Sequence, residues 1–198
     1  MKLFLPLAAF LMLVACKPQQ KNSASEPGKN ELKYAEQFRV EKHLDNQFLV
    51  ELMNPWSHNA APLVQYYLVP KTDSLPPNLD PNYRVIRTPV SDIATMSASH
   101  IGFIACLGLE DKIIAHSEFK YIYNGPLNKA IEAGKVREIG SDQGVNVESI
   151  LELAPALLMA TVYEKISPKF KLIEKAGIPI AYNIEWMETS PLARAEWL

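Results

Sequence analysis

The sequence has only two cysteines among its 198 residues, Cys16 and Cys106. Cys16 ends an N-terminal apolar stretch, so Cys106 is left without a partner and no disulfide framework is expected. Cys106 falls in a mostly apolar stretch with helical spacing, where a cysteine is usually a small packed side chain. The fold must therefore rest on a hydrophobic core, for which a content of 48% hydrophobic residues is sufficient.

The sequence also lacks a net positive charge. The formal net charge is −2 and the isoelectric point is near 6.1. The sequence has no basic stripe with interleaved aromatic residues, so we expect no nucleic-acid partner.

Signatures of catalysis and of metal binding are absent as well. The sequence contains no GxSxG, HExxH, GxGxxG, P-loop or CxxC motif. Its four histidines, His43, His58, His100 and His116, show no close ligand spacing. We therefore expect a protein that is not an enzyme and that holds no permanent cofactor or metal ion.

The N-terminal apolar run from Leu3 to Ala15 is too short to cross a bilayer comfortably and follows Met1-Lys2, which is typical of a signal peptide over residues 1–15. Its end, Leu-Val-Ala-Cys, resembles the lipobox of bacterial lipoproteins, in which the cysteine, here Cys16, becomes the lipidated first residue. Residues 16–33 are polar and lack periodicity, so we expect a flexible tether from a membrane anchor. The alternative is an unmodified thiol at Cys16.

Residues 34–90 are predicted to form a small antiparallel β layer. Apolar residues alternate with polar ones on either side of Asp45-Asn46, a pair that favours a tight hairpin turn. The proline-rich stretch 75–81 is predicted to be a loop.

Residues 91–188 alternate between strand and helix patterns, which predicts a parallel sheet with helices on both faces. The clearest unit spans residues 136–163. A short strand and a polar turn from Gly140 to Gly144 precede a helix that Asn146 caps and Pro155 closes. The continuous apolar run 157–162 that follows is typical of a strand covered on both faces.

In a parallel α/β sheet, ligands bind at the carboxyl ends of the strands. The loops predicted there span residues 97–100, 117–124, 141–146, 161–165 and 183–188. Eight side chains in these loops are our candidate ligand contacts: Ser99, His100, Lys120, Tyr121, Tyr123, Tyr163, Glu185 and Trp186. The aromatic rings offer flat apolar contact and Lys120 favours an anionic ligand. An ordinary solvated loop edge is the alternative.

The chain resembles the substrate-binding lipoproteins of ABC importers for ferric siderophores, haem and vitamin B12, in particular their Bacteroidetes-like branch. The resemblance covers residues from about 93 to 198, and the β layer before them is similar to that branch's N-terminal extension. The motifs are Met96-Ser97-Ala98-Ser99-His100-Ile101, the segment from Gly140 through Asn146-Val147-Glu148-Ser149-Ile150 to Pro155, and Gly177-Ile178-Pro179-Ile180. The chain departs from the usual pattern at Ala154, Ala156 and Ala193.

The resemblance implies one lobe of a two-lobed periplasmic-binding-protein fold, lipid-anchored on the periplasmic side of the cell envelope. Such a protein captures an iron chelate and delivers it to an ABC permease in the cytoplasmic membrane. Glu148 would then dock onto the permease, although an acid at a helix start is favourable anyway. Residues 189–198 would begin the helix between the lobes, so we expect the chain to be the first part of a longer protein.

Two other hypotheses stay open. The chain can be a one-lobe envelope interaction module without a small ligand. It can also be a hydrolase that uses Ser99 or Ser117 with a histidine.

Overall fold

The computed structural model describes residues 29–57, 61–141 and 144–198. The predicted signal peptide and Cys16 lie outside the described residues. Among the residues described, none of the helices has the length and hydrophobicity needed to cross a membrane.

A four-stranded sheet comes first in the chain, in the order β1-β2-β3-β4. Its strands are β1 (Phe38–Leu44), β2 (Gln47–Leu52), β3 (Val64–Pro70) and β4 (Arg84–Thr88). The predicted hairpin at Asp45-Asn46 is confirmed, because Leu44 pairs with Gln47 and Asn46 adopts a left-handed φ of 57°. The layer is not wholly antiparallel, since β4 runs parallel to β3. The long connection over residues 71–83 makes that reversal possible.

A five-stranded parallel sheet follows, in the order β7-β6-β5-β8-β9. Its strands are β5 (Ile93–Thr95), β6 (Ile113–His116), β7 (Arg137–Glu138), β8 (Leu158–Thr161) and β9 (Ile180–Asn183). The helices between and after them are α1 (Ala98–Cys106), α2 (Gly125–Glu132), α3 (Val147–Leu153), α4 (Pro168–Lys175) and α5 (Pro191–Ala195). The predicted parallel α/β architecture is confirmed.

The helices cover both faces of this parallel sheet. One buried cluster contains residues of α1 and α2, among them Ile101, Ile104 and Leu127. A larger cluster contains Ile150 of α3 and Ile173 of α4 together with residues of the first sheet. The chain moves in one direction along the sheet through α1 and α2 and in the other through α3 and α4. Right-handed crossovers therefore place the two pairs of helices on opposite faces.

Each helix begins at a side chain that accepts a backbone N–H. The caps are Ser97, Asn124, Asn146, Ser167 and Ser190. Helix α3 ends at Ala154, which is left-handed with a φ of 46° and is followed by Pro155. The predicted unit around α3 is thus present, with a strand of only two residues in front of it.

Two carboxylates attach residues 33–37 to the C-terminal part of the chain. Glu196 accepts the backbone N–H groups of Lys33, Tyr34 and Ala35 at 2.6–2.9 Å. Glu188, which is buried, accepts those of Glu36 and Gln37. Residues at the end of the predicted tether therefore pack against the domain.

Cys106 corrects one expectation. It is exposed at the last position of α1, not packed in the core. The residues of α1 that are buried are His100, Ile101 and Ile104, on the other side of the helix.

Candidate functional site

The site is located at the carboxyl ends of the parallel strands. Strand β5 is followed in the chain by β6 on one side of it, whereas β8 lies on the other side. The loops after β5 and β8 therefore leave the sheet in opposite directions and open a crevice between them. Such a switch point is where open α/β sheets bind ligands.

A cavity of about 470 Å³ lies on the β5 and β6 side of this switch point. Its walls come from the loops after β5, β6 and β7: Met96, Ser97, Ala98, His116, Ser117, Glu118, Lys120, Tyr121 and Ser141. Of the eight candidate contacts, Lys120 and Tyr121 line this cavity. We refer to it below as the carboxyl-edge cavity.

The loop from Gly140 onwards closes one wall. Gly140 has a φ of 90°, and a Cβ there would lie 2.5 Å from the carbonyl oxygen of Gly144. Only glycine fits this turn. The turn brings Ser141 to the cavity, where its hydroxyl accepts the Gly144 N–H at 3.0 Å.

Lys120 does not present a free charge to the carboxyl-edge cavity. Its ammonium lies 3.1 Å from Glu118 and 4.7 Å from the centre of the Tyr121 ring. The hydrogen bond that Lys120 donates to Glu118 raises the pKa of Lys120, and Tyr121 adds to the effect. Because Glu118 also lines the cavity, the two charges cancel, which weakens the expected preference for an anionic ligand.

A second group of residues lies on the β8 and β9 side, and it is aromatic. The ring centres of Tyr163 and Trp186 are 5.6 Å apart, and that of Trp56 is 6.2 Å from Trp186. Tyr163 is 60% exposed and Trp186 39% exposed. Exposed rings of this kind offer an apolar surface to a ligand. We call Trp56, Tyr163 and Trp186 the aromatic cluster.

Trp56 was missed by the sequence reasoning because it belongs to the first sheet. The side chain of Asn54 accepts the Trp56 N–H at 3.2 Å and fixes the turn after β2. The sequence placed Asn54-Pro55-Trp56 in the first β layer, and no sequence signal could show that this segment meets Trp186.

His100 is fully buried, although the sequence placed it in a binding loop. It lies in the first turn of α1, and within the described ranges neither of its ring nitrogens has a hydrogen-bond partner. Burial lowers the pKa of His100 to about 3, with a further contribution from nearby His116. The ring is therefore neutral in ordinary conditions and lies below the site, not in it.

His116 is similarly buried, at the end of β6. Its Nδ1 is 2.8 Å from the Thr95 hydroxyl, and burial lowers its pKa to about 4. Ser117 donates to the Met96 carbonyl at 3.1 Å, and the Ser99 hydroxyl is 3.0 Å from that of Ser97. Among the residues that the structure describes, neither serine is paired with a histidine, so no nucleophile and base pair for the hydrolase hypothesis is found there.

The remaining candidate contacts lie outside the carboxyl-edge cavity. Tyr123 is 89% exposed and is not part of the cavity lining. Glu185, next to Trp186, is half-buried, and its Oε2 has no hydrogen-bond partner. Glu148 is exposed in the first turn of α3. Within the described part of the chain, no three His, Cys, Asp or Glu side chains come together as a metal site.

Sequence comparison finds relatives of unknown activity. No family profile matches the chain. It is 26% identical to the uncharacterized lipoprotein MJ0878 of Methanocaldococcus jannaschii over 84% of its own length, and 22% identical to MJ0872 of the same organism over 91%. The chain spans 44% of the length of each of these relatives.

Solved structures similar to the chain include periplasmic binding proteins, each matching over about half of it. A periplasmic heme-binding protein from Pseudomonas aeruginosa is 19% identical, with a TM-score of 0.40 over 48% of this chain and 31% of the other. The vitamin B12-binding protein of Vibrio cholerae is 22% identical, with a TM-score of 0.40 over 48% and 35%. A petrobactin-binding protein of Bacillus subtilis is 19% identical, with a TM-score of 0.39 over 49% and 32%. The similarity to these proteins is limited to about half of the chain.

Proposed function

We propose that the chain is the ligand-binding lobe of a solute-binding lipoprotein that captures a metal chelate and delivers it to an ABC permease. The chelate would be an iron compound such as a ferric siderophore or haem, or the similar cobalt cofactor cobalamin. One observation carries the proposal. The carboxyl-edge cavity and the aromatic cluster lie on the two sides of the switch point of a parallel sheet, where a ligand can touch both.

Flat apolar contact is the main interaction that this site offers. Tyr121 on one side and Tyr163 and Trp186 on the other are each more than a third exposed, so their faces are available to a ligand. Aromatic rings in such positions contribute both buried area and ring contact. The Glu118 and Lys120 pair offers one acceptor and one donor with no net charge. These features suit a large ligand with a broad apolar surface better than a small inorganic ion.

The indole N–H resonances of the three tryptophans, Trp56, Trp186 and Trp197, provide the test. We expect a bound chelate to shift the signals of Trp56 and Trp186. Trp197 should stay unchanged, because its Nε1 donates to Glu188 at 3.0 Å and its ring packs on Phe38. Ferric siderophores, haem and cobalamin are titrated in turn into the ¹⁵N-labelled protein.

Two tyrosines form a matched pair for the same titration. Tyr121 lines the cavity and is 53% exposed, whereas Tyr123 is 89% exposed and lies outside the lining. Tyr121→Ala should weaken binding about fivefold or more, and Tyr123→Ala should change it little. If none of the three ligand classes shifts Trp56 or Trp186, the proposal fails and a one-lobe interaction module becomes the better explanation.

Delivery and anchoring are part of the same proposal. The curated relatives are lipoproteins in name, which supports lipidation of Cys16 and a place on the periplasmic side of the envelope. Glu148, exposed at the start of α3, would contact the permease. Glu148→Arg should then abolish chelate uptake by cells while leaving binding intact, and Glu132→Arg on exposed α2 is the control. Uptake that survives Glu148→Arg would remove that contact from the proposal.

A further inference from the structure

A second and larger cavity, of about 650 Å³, lies at the opposite edge of the parallel sheet. It is bordered by β4 of the first sheet and by the segments that lead into β8 and β9, residues 154–156 and 176–180. Since all five strands are parallel, this amino edge is remote in the fold from the carboxyl ends. We call this space the amino-edge cavity. Its volume falls within the range of roughly 300–1,000 Å³ that is typical of small-molecule sites.

Most of its walls are apolar. Val85 and Ile86 of β4 line the cavity on the side of the first sheet, and Pro155, Ile178 and Pro179 line it on the side of the lobe. Such walls stabilise a ligand by removing its apolar surface from water, at about 25 cal/mol for each Å² buried.

The polar residues of this cavity carry an excess of positive charge. Lys71, Arg84 and Arg87 line it together with one carboxylate, Glu174. Arg84 forms an ion pair with that carboxylate, because its Nη1 lies 2.8 Å from Glu174 Oε1. The Arg84 guanidinium also lies 5.2 Å from the centre of the Tyr182 ring.

The other two cations are not neutralised. Arg87 Nη1 donates to the carbonyl oxygens of Asp73 at 2.6 Å and Pro70 at 3.3 Å, which are uncharged acceptors. Neither Arg87 nor Lys71 forms an ion pair with any residue that the structure describes. The hydrogen bonds of Arg87 hold it in place, so its charge is fixed beside the cavity. Two positive charges are therefore available to an anion.

We propose that the amino-edge cavity binds a small amphipathic organic anion, with a carboxylate or phosphate group on a hydrocarbon body. The anionic group would lie near Lys71 and Arg87, and the hydrocarbon would lie against Val85, Ile178 and Pro179. This inference does not depend on the proposed chelate site, because it uses none of the residues at the carboxyl edge.

A ligand in this position would join the two sheets. Arg87 and Val85 belong to the first sheet, whereas Pro155 and Pro179 lie in the segments that lead into β8 and β9 of the parallel one. Because the ligand would contact both, its binding should stabilise their attachment to each other.

Octanoate and octyl phosphate are suitable probes, with octylammonium and 1-octanol as controls for charge and for hydrophobicity. Each is titrated into the full ¹⁵N-labelled chain and followed through backbone amide shifts. We expect both anions to shift the amides of Arg84–Arg87, Ala156 and Gly177, and to leave those of Ser97 and Tyr121 unchanged. The ammonium and the alcohol should bind at least about fivefold more weakly.

Substitutions in the amino-edge cavity distinguish the contribution of its positive charge to binding from that of its volume. Lys71 is exposed and forms no ion pair within the described residues, so Lys71→Gln should not disturb the fold. It should weaken octanoate binding about two- to fivefold, and Lys71→Glu should weaken it further. Lys135→Gln, at an exposed lysine outside the cavity, is the matched control and should have no effect. Ala176→Leu should reduce binding of both anions by filling the cavity.

Three results would overturn the proposal. The first is octylammonium binding as tightly as octanoate, and the second is shifts spread over the whole surface or centred on the carboxyl edge. The third is an equal effect of Lys71→Gln and Lys135→Gln. Chelate binding is tested separately by the tryptophan signals, so the two proposals can fail independently.

Discussion

The two edges of the parallel sheet carry cavities of opposite character. In the carboxyl-edge cavity Lys120 is neutralised by Glu118, and Tyr163 and Trp186 of the nearby aromatic cluster are exposed. At the amino edge Lys71 and Arg87 keep their charge, and the walls are aliphatic. The difference shows that the sheet alone does not decide what a cavity binds. The side chains that the first sheet brings to each edge matter as much.

The first sheet contributes to both edges. Trp56, after β2, completes the aromatic cluster, and Arg84 and Arg87 of β4 line the amino-edge cavity. It is attached near the carboxyl edge by Glu188 and at the amino side by Arg84 and by Tyr66, whose hydroxyl accepts the Tyr182 N–H at 2.8 Å. Full burial raises the pKa of Tyr66, so this hydroxyl stays protonated.

The largest expected effect is a loss of folding stability in acid, caused by two histidines buried beneath the carboxyl edge. Burial lowers the pKa of His100 to about 3 and that of His116 to about 4 in the folded chain, from the ordinary histidine value of 6.5. Because the unfolded chain binds these protons first, stability is complete above pH 6.5 and is lost as the pH falls towards the folded values. At about 1.4 kcal/mol per pH unit for each group, moving from pH 7 to pH 5 should cost about 4 kcal/mol.

Denaturant unfolding at pH 7 and pH 5 measures this loss. His100→Leu should remove about half of the pH dependence, whereas His43→Gln, at an exposed histidine of β1, should leave it complete. An equal free energy of unfolding at both pH values would contradict the assignment of two buried neutral histidines.

The second prediction compares the two attachments of the first sheet. Glu188→Ala leaves the backbone N–H groups of Glu36 and Gln37 and the Trp197 indole without their acceptor. Since Glu188 is only 3% exposed, we expect a loss of about 2–4 kcal/mol in the free energy of unfolding. Arg84→Met removes one partner of a partly buried ion pair, whose side chains are 33% and 19% exposed, and should cost less, about 1–2 kcal/mol. Thermal or urea unfolding of both variants checks the order, and equal losses would show that the attachments are equivalent.

The smallest expected effect concerns the lysine of the carboxyl edge. Because Glu118 already neutralises Lys120, Lys120→Gln should change the affinity for an anionic chelate by less than about threefold. Glu118→Gln frees the Lys120 charge and should tighten binding of the same chelate. Calorimetric titration of both variants measures this. A large loss in Lys120→Gln would mean that the ligand displaces Glu118, and that the two edges are more alike than their ion pairs indicate.

Local features of the fold were predictable from the sequence because short-range chemistry sets them. The hairpin at Asp45-Asn46, the cap at Asn146 and the end of α3 before Pro155 each depend on residues within a few positions of one another. The parallel sheet followed from the alternation of strands and helices. The parallel pairing of β4 could not be foreseen, because residues 71–83 allow either direction.

The sequence predicted the location of the candidate site only to the extent that it predicted where the strands end. The segments after β6, β8 and β9 lie where they were expected, and Tyr121, Tyr163 and Trp186 are exposed in them. His100 was placed wrongly in a loop, because its ring lies on the inner side of α1, a direction that depends on where the helix begins. Trp56 was missed because it is distant in sequence from Trp186.

The sequence by itself determined the elements, their caps and the edge of the sheet where ligand loops gather, since these follow from hydrophobic spacing and local hydrogen bonds. Only the tertiary structure decided which charges are neutralised and which are left free. Glu118 meets Lys120 within one loop, whereas Glu174 reaches Arg84 across ninety positions in sequence. Contacts of that range are set by how the two sheets pack, which is also what creates the amino-edge cavity.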